Sequence, residues 1–385
     1  MQPENVLYTN NFHHTPTKQP VFPAVSSFFR ISFEMKSDFA IIGGGLSGMM
    51  MASRLVCAGY SVTLFEQAHP YFSASRIAAG LYNPVTGKRI VKTWLADQLL
   101  SELQSYFENP AFISLKNCLI SKPIYRPFHH YSEYNDWFAK SGEPEYIDWV
   151  AIQETPFRPE FFQNPYGGLW IMKGGWLAIS EYLQQCEQLL AKSNLFIKQN
   201  TFISPSEIDL SQRSIRNQTF GSLIFCEGIL SQETDAPFHL WALKGQVITL
   251  EIPGLVWDEI ITLNGFLLPL GNHHFRAGSS YEREFDSPEP TEDFLQEILQ
   301  HWQSQFPGYQ MNVKDHKAGI RPTTRDRRPV VGEHPGFPKI YYLNGLGTKG
   351  VLLSPFCTKH LFLQITENQP IHPEISISRK AIQKN

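Results

Sequence analysis

A strand–helix–strand unit dominates the apolar pattern of the early chain. The uninterrupted apolar run Phe39–Ile42 predicts a strand that is buried on both faces, as in parallel sheets. After a stretch of glycines, Met49–Ala58 has apolar residues at helical spacing and contains no proline. Ser61–Phe65 predicts a second strand, which closes at Glu66. The order of these elements indicates two parallel strands joined by a helix.

The glycines between the first strand and the helix follow the pattern Gly43-x-Gly45-x-x-Gly48. Gly43 permits the tight turn, Gly45 lets a pyrophosphate approach the backbone, and Gly48 lets the helix pack closely on the strand. The helix N-terminus offers amide groups and a partial positive charge to phosphates. Glu66 follows Gly48 by eighteen residues, where its carboxylate suits ribose hydroxyls and would repel a 2′-phosphate. We therefore expect a bound adenine dinucleotide other than NADP, the alternative being a glycine-rich turn in an ordinary unit.

A second strand–loop–helix unit lies near the other end of the chain. Tyr341–Leu343 predicts a strand, and Val351–Ile365 predicts an apolar helix. The loop between them contains Gly345, Gly347 and Gly350. This unit would bring further backbone amides to a ligand at a helix start.

The remaining pattern predicts further helices at Thr93–Phe107, Tyr131–Ala139, Trp176–Lys192 and Pro290–Phe306, the last with Thr291 as its N-cap. It predicts further strands at Cys118–Ile124, Gly167–Met172, Leu195–Ile203, Ser222–Cys226, Leu243–Leu250, Ile260–Leu270 and His274–Ser279. The last two strands are expected to form a hairpin around Gly271-Asn272.

Two domains are the natural expectation for 385 residues. We predict an α/β fold in which a Rossmann-like nucleotide-binding domain (residues 35–90, 167–230 and 315–366) is interrupted by a mostly antiparallel α+β substrate domain (residues 91–166 and 231–314). Residues 1–34 are polar and lack the apolar core of a signal peptide, so we expect a disordered extension before a natural start at Met35. Residues 367–385 form a C-terminal tail.

Composition narrows the class of protein. The net charge of −3 predicts no general attraction to nucleic acid or to anionic membranes. The five cysteines are scattered and lack a Cys-x-x-Cys pair, which indicates buried thiols in a reducing compartment, taken here to be the cytoplasm. Arg54 and the glycines interrupt the first apolar segment, so no membrane span is expected. The histidines are dispersed, and we predict neither a metal site nor a Ser-His-Asp arrangement.

Two further segments carry distinctive residue types. Small residues dominate Ala74–Gly80, where they would let the backbone pass close to a large flat ligand; a flexible loop is the alternative. The segment Gly319–Gly332 is rich in arginine and precedes the second strand–loop–helix unit.

Together these segments resemble the FAD-dependent oxidoreductases of the D-amino-acid oxidase and glycine oxidase superfamily. The resemblance runs from Asp38 to about Ile365 and rests on blocks at Gly43–Glu66, Ala74–Pro84, Lys244–Val247, Gly278–Glu282 and Gly319–Pro355. Within the superfamily, Gly319–Gly332 and Gly345–Gly350 are most similar to the FAD-containing half of the bifunctional enzymes that mature 5-methylaminomethyl-2-thiouridine in tRNA. The methyltransferase half of those enzymes has no counterpart in this sequence.

The resemblance implies that FAD is the cofactor and that it binds without a covalent link, because no cysteine or histidine stands beside Arg321 or in Ala74–Gly80. The implied cofactor-binding residues are Gly43, Gly45, Leu46, Ser47, Gly48, Glu66, Gln67, Ser75, Arg76, Ala79, Gly80, Leu81, Phe202, Gly228, Gly347, Thr348, Lys349, Gly350 and Val351.

Two cations are the implied catalytic residues. Arg321 matches the arginine that holds the substrate carboxylate in amino-acid oxidases, and a guanidinium pairs bidentately with a carboxylate. The alternative is a structural salt bridge, for instance to Asp326. Lys349 would stabilise negative charge on the reduced flavin, the alternative being an exposed loop lysine. Arg325, Arg327 and Arg328 are expected to face solvent.

Three functions follow from the resemblance. The first is oxidation of the carbon–nitrogen bond of a small amine that carries a carboxylate, an amino acid or N-substituted glycine, by hydride transfer to flavin N5. The second is oxidative removal of a carboxymethyl group from a modified tRNA wobble uridine, which the net charge disfavours. The third is a non-catalytic flavin-binding protein. The substrate side chain, the electron acceptor and the oligomeric state stay open.

Overall fold

The computed structural model describes residues 36–67, 73–86, 91–233 and 236–382. The expected extension at residues 1–34 lies outside the described residues.

The helices of the described chain are α1 (Leu46–Cys57), α2 (Ala74–Ile77), α3 (Ala96–Glu108), α4 (Tyr131–Lys140), α5 (Ile179–Leu190), α6 (Glu292–Gln305) and α7 (Gly350–Glu367). The strands are β1 (Phe39–Ile42), β2 (Val62–Glu66), β3 (Leu81–Tyr82), β4 (Val85–Thr86), β5 (Val91–Lys92), β6 (Leu119–Ser121), β7 (Ile124–Pro127), β8 (Val150–Gln153), β9 (Gly168–Ile171), β10 (Gly175–Leu177), β11 (Phe196–Asn200), β12 (Ile208–Asp209), β13 (Ser214–Ile215), β14 (Gln218–Thr219), β15 (Ser222–Phe225), β16 (Trp241–Glu251), β17 (Ile260–Thr262), β18 (Phe266–Gly271), β19 (His274–Gly278), β20 (Asn312–Thr323), β21 (Val330–Glu333) and β22 (Ile340–Asn344).

A six-stranded sheet in the order β11-β2-β1-β15-β22-β21 forms the first layer. All its strands run parallel except β21, which pairs antiparallel with β22. Strands β1, β2, β15 and β22 are buried along their whole length, because one core lies on each face of the sheet. This arrangement confirms the Rossmann-like α/β prediction and explains the uninterrupted apolar runs.

An eight-stranded sheet in the order β20-β16-β19-β18-β17-β7-β9-β8 forms the second layer. Its pairs are antiparallel except β17–β7. The face that carries Ile248, Leu267 and Phe275 packs against Trp302 of α6, and we call it the outer face. The opposite, inner face carries Leu268 and packs into the same core as α1 and α7.

Sheet pairing corrects two of the predicted segment boundaries. Gly167–Met172 was assigned to the nucleotide-binding domain, yet β9 pairs with β7 and β8 in the eight-stranded sheet. The boundary at residue 315 is also wrong, because β20 pairs along its length with β16 of that sheet. Strand β9 is apolar and suits either sheet, so only its pairing partners decide its membership, whereas β20 is largely polar and was not among the predicted strands.

Other element boundaries differ for local reasons. The predicted helix Trp176–Lys192 begins at Ile179, since Gly175–Leu177 is strand β10, paired between β3 and β6. The predicted strand Cys118–Ile124 is divided at Pro123 into β6 and β7, which belong to different sheets. The predicted strand Ile260–Leu270 is likewise two strands, β17 and β18, joined by a turn at Asn264.

Two segments sit nearer the first layer than their predicted domains indicate. Helix α3, assigned to the substrate domain, packs on α7 with an ion pair between Glu102 and Lys359. The C-terminal tail is also part of this layer: Val331 of β21 exchanges backbone hydrogen bonds with Ile375 and Ile377.

Candidate active site

Five strand ends meet at one edge of the six-stranded sheet. Because β11, β2, β1, β15 and β22 are parallel, their carboxyl ends point the same way. The predicted cofactor residues Phe202, Glu66, Gly43 and Gly228 follow or end four of these strands, and Gly345 follows the fifth. Ligands of open parallel sheets bind at this edge. Phe202 differs from the other four because it is largely exposed to solvent, at 44%.

The first glycine loop is packed tightly where it turns and is open where α1 starts. A Cβ on Gly43 would lie 2.4 Å from the Cys226 carbonyl oxygen, and Gly43 has a φ of +103°. A Cβ on Gly48 would lie 1.9 Å from the Gly43 carbonyl oxygen. A Cβ on Gly45, by contrast, would meet only the Ser75 side chain, at 3.0 Å. Gly45 is the N-cap of α1 and has no side chain with which to cap the helix.

Glu66 and α2 hold the first glycine loop in place. The buried Glu66 carboxylate accepts a hydrogen bond from the Gly44 amide and lies 3.4 Å from Arg76 Nη2. The Ser75 hydroxyl accepts a hydrogen bond from the Leu46 amide at 3.0 Å. Of the predicted cofactor residues, Ser75 of α2 thus contacts the start of α1, and Arg76 of α2 contacts Glu66. Both contacts hold α2 against the start of α1. Gln67, at the end of β2, is exposed.

The remaining residues of the small-residue segment pack on another sheet. Ala79 is buried, and a Cβ on Gly80 would lie 2.0 Å from the Leu177 carbonyl oxygen. Leu81 pairs with Trp176 in the sheet β3-β10-β6. The segment is therefore ordered backbone, with a short helix at its start, and the flexible-loop alternative is wrong.

The second glycine loop runs from β22 to α7 and is tied to both layers. The Asn344 side chain donates to the Gly228 carbonyl oxygen at 2.8 Å. The Gly347 amide donates to the Pro322 carbonyl oxygen of β20 at 2.9 Å. A Cβ on Gly350 would have only a Leu46 methyl within reach, at 4.0 Å. The starts of α1 and α7 therefore lie close together, and α7 also lacks a side-chain cap. In this loop Thr348 is exposed and Val351 is buried.

Lys349 is half-buried at the start of α7, so it is not an exposed loop lysine. Its Nζ donates to Thr93 Oγ1 at 2.6 Å and to Thr86 Oγ1 at 3.1 Å. Burial and the positive charges of Arg328 and Arg327 lower the pKa of Lys349 to about 8. The ammonium is thus held by neutral hydroxyls, beside two further cations.

Arg321 projects from β20 on the inner face of the eight-stranded sheet. Its Nη1 donates to the Ser280 carbonyl oxygen at 3.0 Å, and its guanidinium lies 5.0 Å from the centre of the Tyr281 ring. A Cβ on Gly245 would lie only 1.9 Å from Nη2, so glycine at that position gives the guanidinium its room. Burial lowers the pKa of Arg321, opposed by Tyr281 and Glu282. Across the described chain, no carboxylate forms an ion pair with Arg321.

The structural alternative for Arg321 was a salt bridge to Asp326, but the Asp326 carboxylate pairs with a different arginine. Asp326 accepts hydrogen bonds from Arg379 of the C-terminal tail at 2.7 and 3.2 Å. The expectation that the neighbouring arginines face solvent holds for Arg325 and Arg327. It is wrong for Arg328, whose guanidinium lies over the Trp94 ring and pairs with a glutamate at 3.1 Å.

Sequence reasoning missed Arg276 of β19. Its Nη1 lies 3.5 Å from the Ala78 carbonyl oxygen, in the segment that the resemblance places at the flavin. The signal was present in the alternation of β19: Phe275 and Ala277 face the outer core, so Arg276 must face inward. Tyr281 and Gly245, which shape the surroundings of Arg321, were also not singled out by role.

The residues present fit the cofactor that the resemblance implies. The starts of α1 and α7 lie side by side without a capping bond from their N-cap residues. Apart from the Leu46 amide, which donates to Ser75, their amides and dipoles suit a diphosphate. At Gly350 the space that a side chain would fill is open, and at Gly45 only the Ser75 side chain borders it. Glu66 is the buried acid at the sheet edge, where ribose hydroxyls would be bound.

Two other features are absent from the described ranges. None of the helices in them combines the length and the hydrophobicity of a membrane-spanning segment. No group of three or more histidine, cysteine or acidic side chains comes together there in a way that could hold a metal ion.

Comparison with known proteins gives a family match and several relatives. The model of the DAO family, described as FAD dependent oxidoreductase, matches residues 38–362. The tRNA 5-methylaminomethyl-2-thiouridine biosynthesis bifunctional protein MnmC of Acinetobacter baylyi is 24% identical over 348 residues. That alignment covers 86% of this chain and 53% of the relative, so the chain spans about half the length of that protein.

Solved structures share the fold. Glycine oxidase from Bacillus cereus superposes with a TM-score of 0.73 at 19% identity, covering 91% of this chain and 99% of the other. Iminodiacetate oxidase from Chelativorans sp. superposes with a TM-score of 0.70 at 18% identity, covering 87% of this chain and 96% of the other. At these identities the likeness is one of fold.

Proposed function

Because the chain belongs to the DAO family of FAD-dependent oxidoreductases, we propose that it oxidises the carbon–nitrogen bond of a small amine that carries a carboxylate. The observation that carries this proposal is the half-buried guanidinium of Arg321 on the inner face of the sheet. The proposed substrate is an amino acid or an N-substituted glycine. The names of the structural neighbours, glycine oxidase and iminodiacetate oxidase, support the same class.

Arg321 is suited to hold a carboxylate. Its Nη1 is anchored by the carbonyl oxygens of Ser280 and Lys244, which fixes the plane of the guanidinium. In the described chain its other nitrogen atoms donate to no acceptor, and a carboxylate would accept from them in parallel. Glu282, the acid whose charge acts on Arg321, is bonded to Gln246 and paired with Lys244. A carboxylate ligand would therefore supply the missing counter-charge.

The chain contributes binding and orientation. Arg321 fixes the carboxylate end of the substrate, and the Tyr281 ring lies beside the guanidinium as a cation–π partner. Bound FAD would supply the hydride acceptor for oxidation of the carbon next to nitrogen. Lys349 would place a positive charge beside the second glycine loop, where its hydroxyl partners leave that charge uncompensated. No general base is needed if the amine binds in its neutral form.

A substrate panel tests this proposal. The FAD-loaded protein is mixed anaerobically with glycine, sarcosine or a D-amino acid, and loss of the yellow absorbance reports flavin reduction. We expect reduction by at least one of these and much slower reduction by amines of similar size without a carboxylate. Reduction by carboxylate-free amines at equal rates would refute the assignment of Arg321.

A second candidate acts on RNA. The similarity to the tRNA-modifying relative, and the exposed Arg325 and Arg327 near the second glycine loop, favour removal of a carboxymethyl group from a modified uridine. A carboxymethyl group together with the amine nitrogen that carries it is an N-substituted glycine, so Arg321 would serve the same role. Flavin reduction by modified tRNA and by none of the small amines would select this candidate. Reduction by neither would leave a flavin-binding protein without turnover.

A further inference from the structure

Arg276 is a half-buried arginine in the interior of the eight-stranded sheet. It lies on β19, between β16 and β18, and pairs in register with Thr249 and Leu268. Residues in register on neighbouring strands project from the same face, and Leu268 belongs to the inner core. The guanidinium of Arg276 therefore lies on the same face as that of Arg321.

The charge of Arg276 has no carboxylate partner in the described part of the chain. Its one hydrogen bond is the 3.5 Å contact with the Ala78 carbonyl oxygen, at the upper limit for such a bond. Asp315 is the acid whose charge acts on Arg276, and it is engaged by Lys317 at 2.5 Å.

A third arginine on the inner face shows the ordinary arrangement. Arg126 of β7 pairs in register with Leu169 of the inner core, and its Nη1 lies 2.6 Å from a Glu133 carboxylate oxygen. Taking a guanidinium out of water is costly unless a counter-charge compensates it. Arg126 has that counter-charge within the protein, whereas Arg276 and Arg321 do not.

The two unpaired arginines approach the same short segment. The Arg321 guanidinium lies against Gly245, which pairs in register with Gly319. A Cβ on Gly319 would lie 3.2 Å from the side chain of Ile77. Arg276 contacts the next residue, Ala78. Arg276 thus contacts this segment directly, and the Arg321 guanidinium lies one strand pair away from it, on the side of the sheet that faces the segment where the resemblance places the flavin.

We propose that Arg276 binds a second carboxylate of the substrate, so that the preferred substrate is an amine with two carboxylates. This inference rests on the proposed function and narrows its substrate class. Arg321 holds the carboxylate nearer the reacting carbon, and Arg276 holds the far one. N-carboxymethyl amino acids and acidic amino acids share this chemistry, and they place the nitrogen differently between the two carboxylates.

Binding is measured first, because it needs no turnover. The FAD-loaded protein is titrated with acetate, propionate, malonate, succinate and glutarate, and the change in the visible flavin spectrum gives each dissociation constant. We expect at least one dicarboxylate to bind about 10- to 100-fold more tightly than the monocarboxylates, the effect of one charge-assisted hydrogen-bonded pair. Arg276→Met should reduce that dicarboxylate to monocarboxylate affinity, and Arg276→Lys should retain part of the difference.

Matched variants separate this role from a structural one. Lys314→Met removes another cation of the same sheet, one already paired with Glu251 at 2.7 Å, and should leave every dissociation constant unchanged. Flavin content and thermal unfolding are compared for all variants. If Arg276→Met weakens monocarboxylates and dicarboxylates equally, Arg276 only holds the Ala78 backbone and the proposal is wrong. Equal dicarboxylate binding by wild type and Arg276→Met would also overturn it.

Turnover then identifies the substrate and tests the two proposals separately. Iminodiacetate and D-aspartate are compared with sarcosine and D-alanine as reductants of the flavin. Arg276→Met should slow the first two by about 10- to 100-fold at low concentration and sarcosine and D-alanine by less than about threefold. If no amine reduces the flavin but dicarboxylate binding still depends on Arg276, the proposed oxidation fails and the second-carboxylate site stands. If amines reduce the flavin but Arg276→Met does not change the preference for substrates with two carboxylates, the proposed oxidation stands and the second-carboxylate site is wrong.

Discussion

Replacing Gly245 by alanine tests the role of Arg321 without changing Arg321 itself. The added Cβ would lie 1.9 Å from Nη2, 2.1 Å from Cζ and 2.3 Å from Nη1 of Arg321. Ordinary contact starts at about 3.4 Å, so the guanidinium must move by roughly 1.5 Å. That displacement also breaks the 3.0 Å hydrogen bond from Nη1 to the Ser280 carbonyl oxygen.

The expected loss is functional and not structural. A misplacement of about 1 Å in a group that orients a substrate costs on the order of 100-fold in rate. We therefore expect Gly245→Ala to lower the rate of anaerobic flavin reduction by a carboxylate-bearing amine about 100-fold at low substrate. The atom that gives way is the end of a flexible side chain, so the free energy of unfolding should change by less than about 1 kcal/mol.

Two controls accompany this measurement. Gly308→Ala is the same substitution at a glycine with nothing within 4 Å, and it should behave like wild type. The double variant Gly245→Ala/Arg321→Ala should be no slower than Arg321→Ala alone, because both changes remove the same interaction. Full activity of Gly245→Ala at normal flavin content would show that the observed position of Arg321 is not required. Additive losses would place the effect of Gly245 elsewhere.

Four further outcomes are expected. Gly45→Val puts a branched side chain on the open side of the first glycine loop, so the purified protein should be colourless; stoichiometric FAD in it would contradict the assignment. Acid precipitation of wild type should release all the flavin, and a yellow pellet would show a covalent link. Lys349 has a pKa of about 8, below its ordinary 10.5, so between these pH values the unfolded chain holds one more proton and the free energy of unfolding of wild type should rise with pH. Chemical denaturation of Lys349→Met should lack that rise, and parallel pH dependence of wild type and variant would refute the prediction. Asp326→Asn weakens the charge-assisted bonds from Arg379, so it should lower the free energy of unfolding by about 1–3 kcal/mol and speed hydrogen exchange at the Ile377 amide. Unchanged exchange would mean that the backbone hydrogen bonds to β21 are enough to hold the C-terminal tail.

Local features of the sequence determined the first layer and its glycine loops. An apolar run of four residues indicates a strand buried on both faces when a helix and a second strand follow it closely. In this chain all three elements lie within about thirty residues, so the sequence pattern alone predicts them. Gly43 and Gly48 are required by backbone contacts to their own unit and its neighbouring strand, so the pattern carries the geometry with it. The family resemblance added Arg321 through a motif that is also continuous in sequence.

The tertiary structure alone decided which sheet each later strand joins and which charges meet. β9 and β20 belong to the eight-stranded sheet, and Asp326 is held by Arg379 and not by Arg321. Arg276 emerged as a candidate only when pairing showed that it shares a face with Arg321, and when the nearest acid, Asp315, proved to be paired with Lys317. The physical reason is that strand periodicity specifies two faces but not the partner, and ion pairs between distant residues depend on where the whole chain places them.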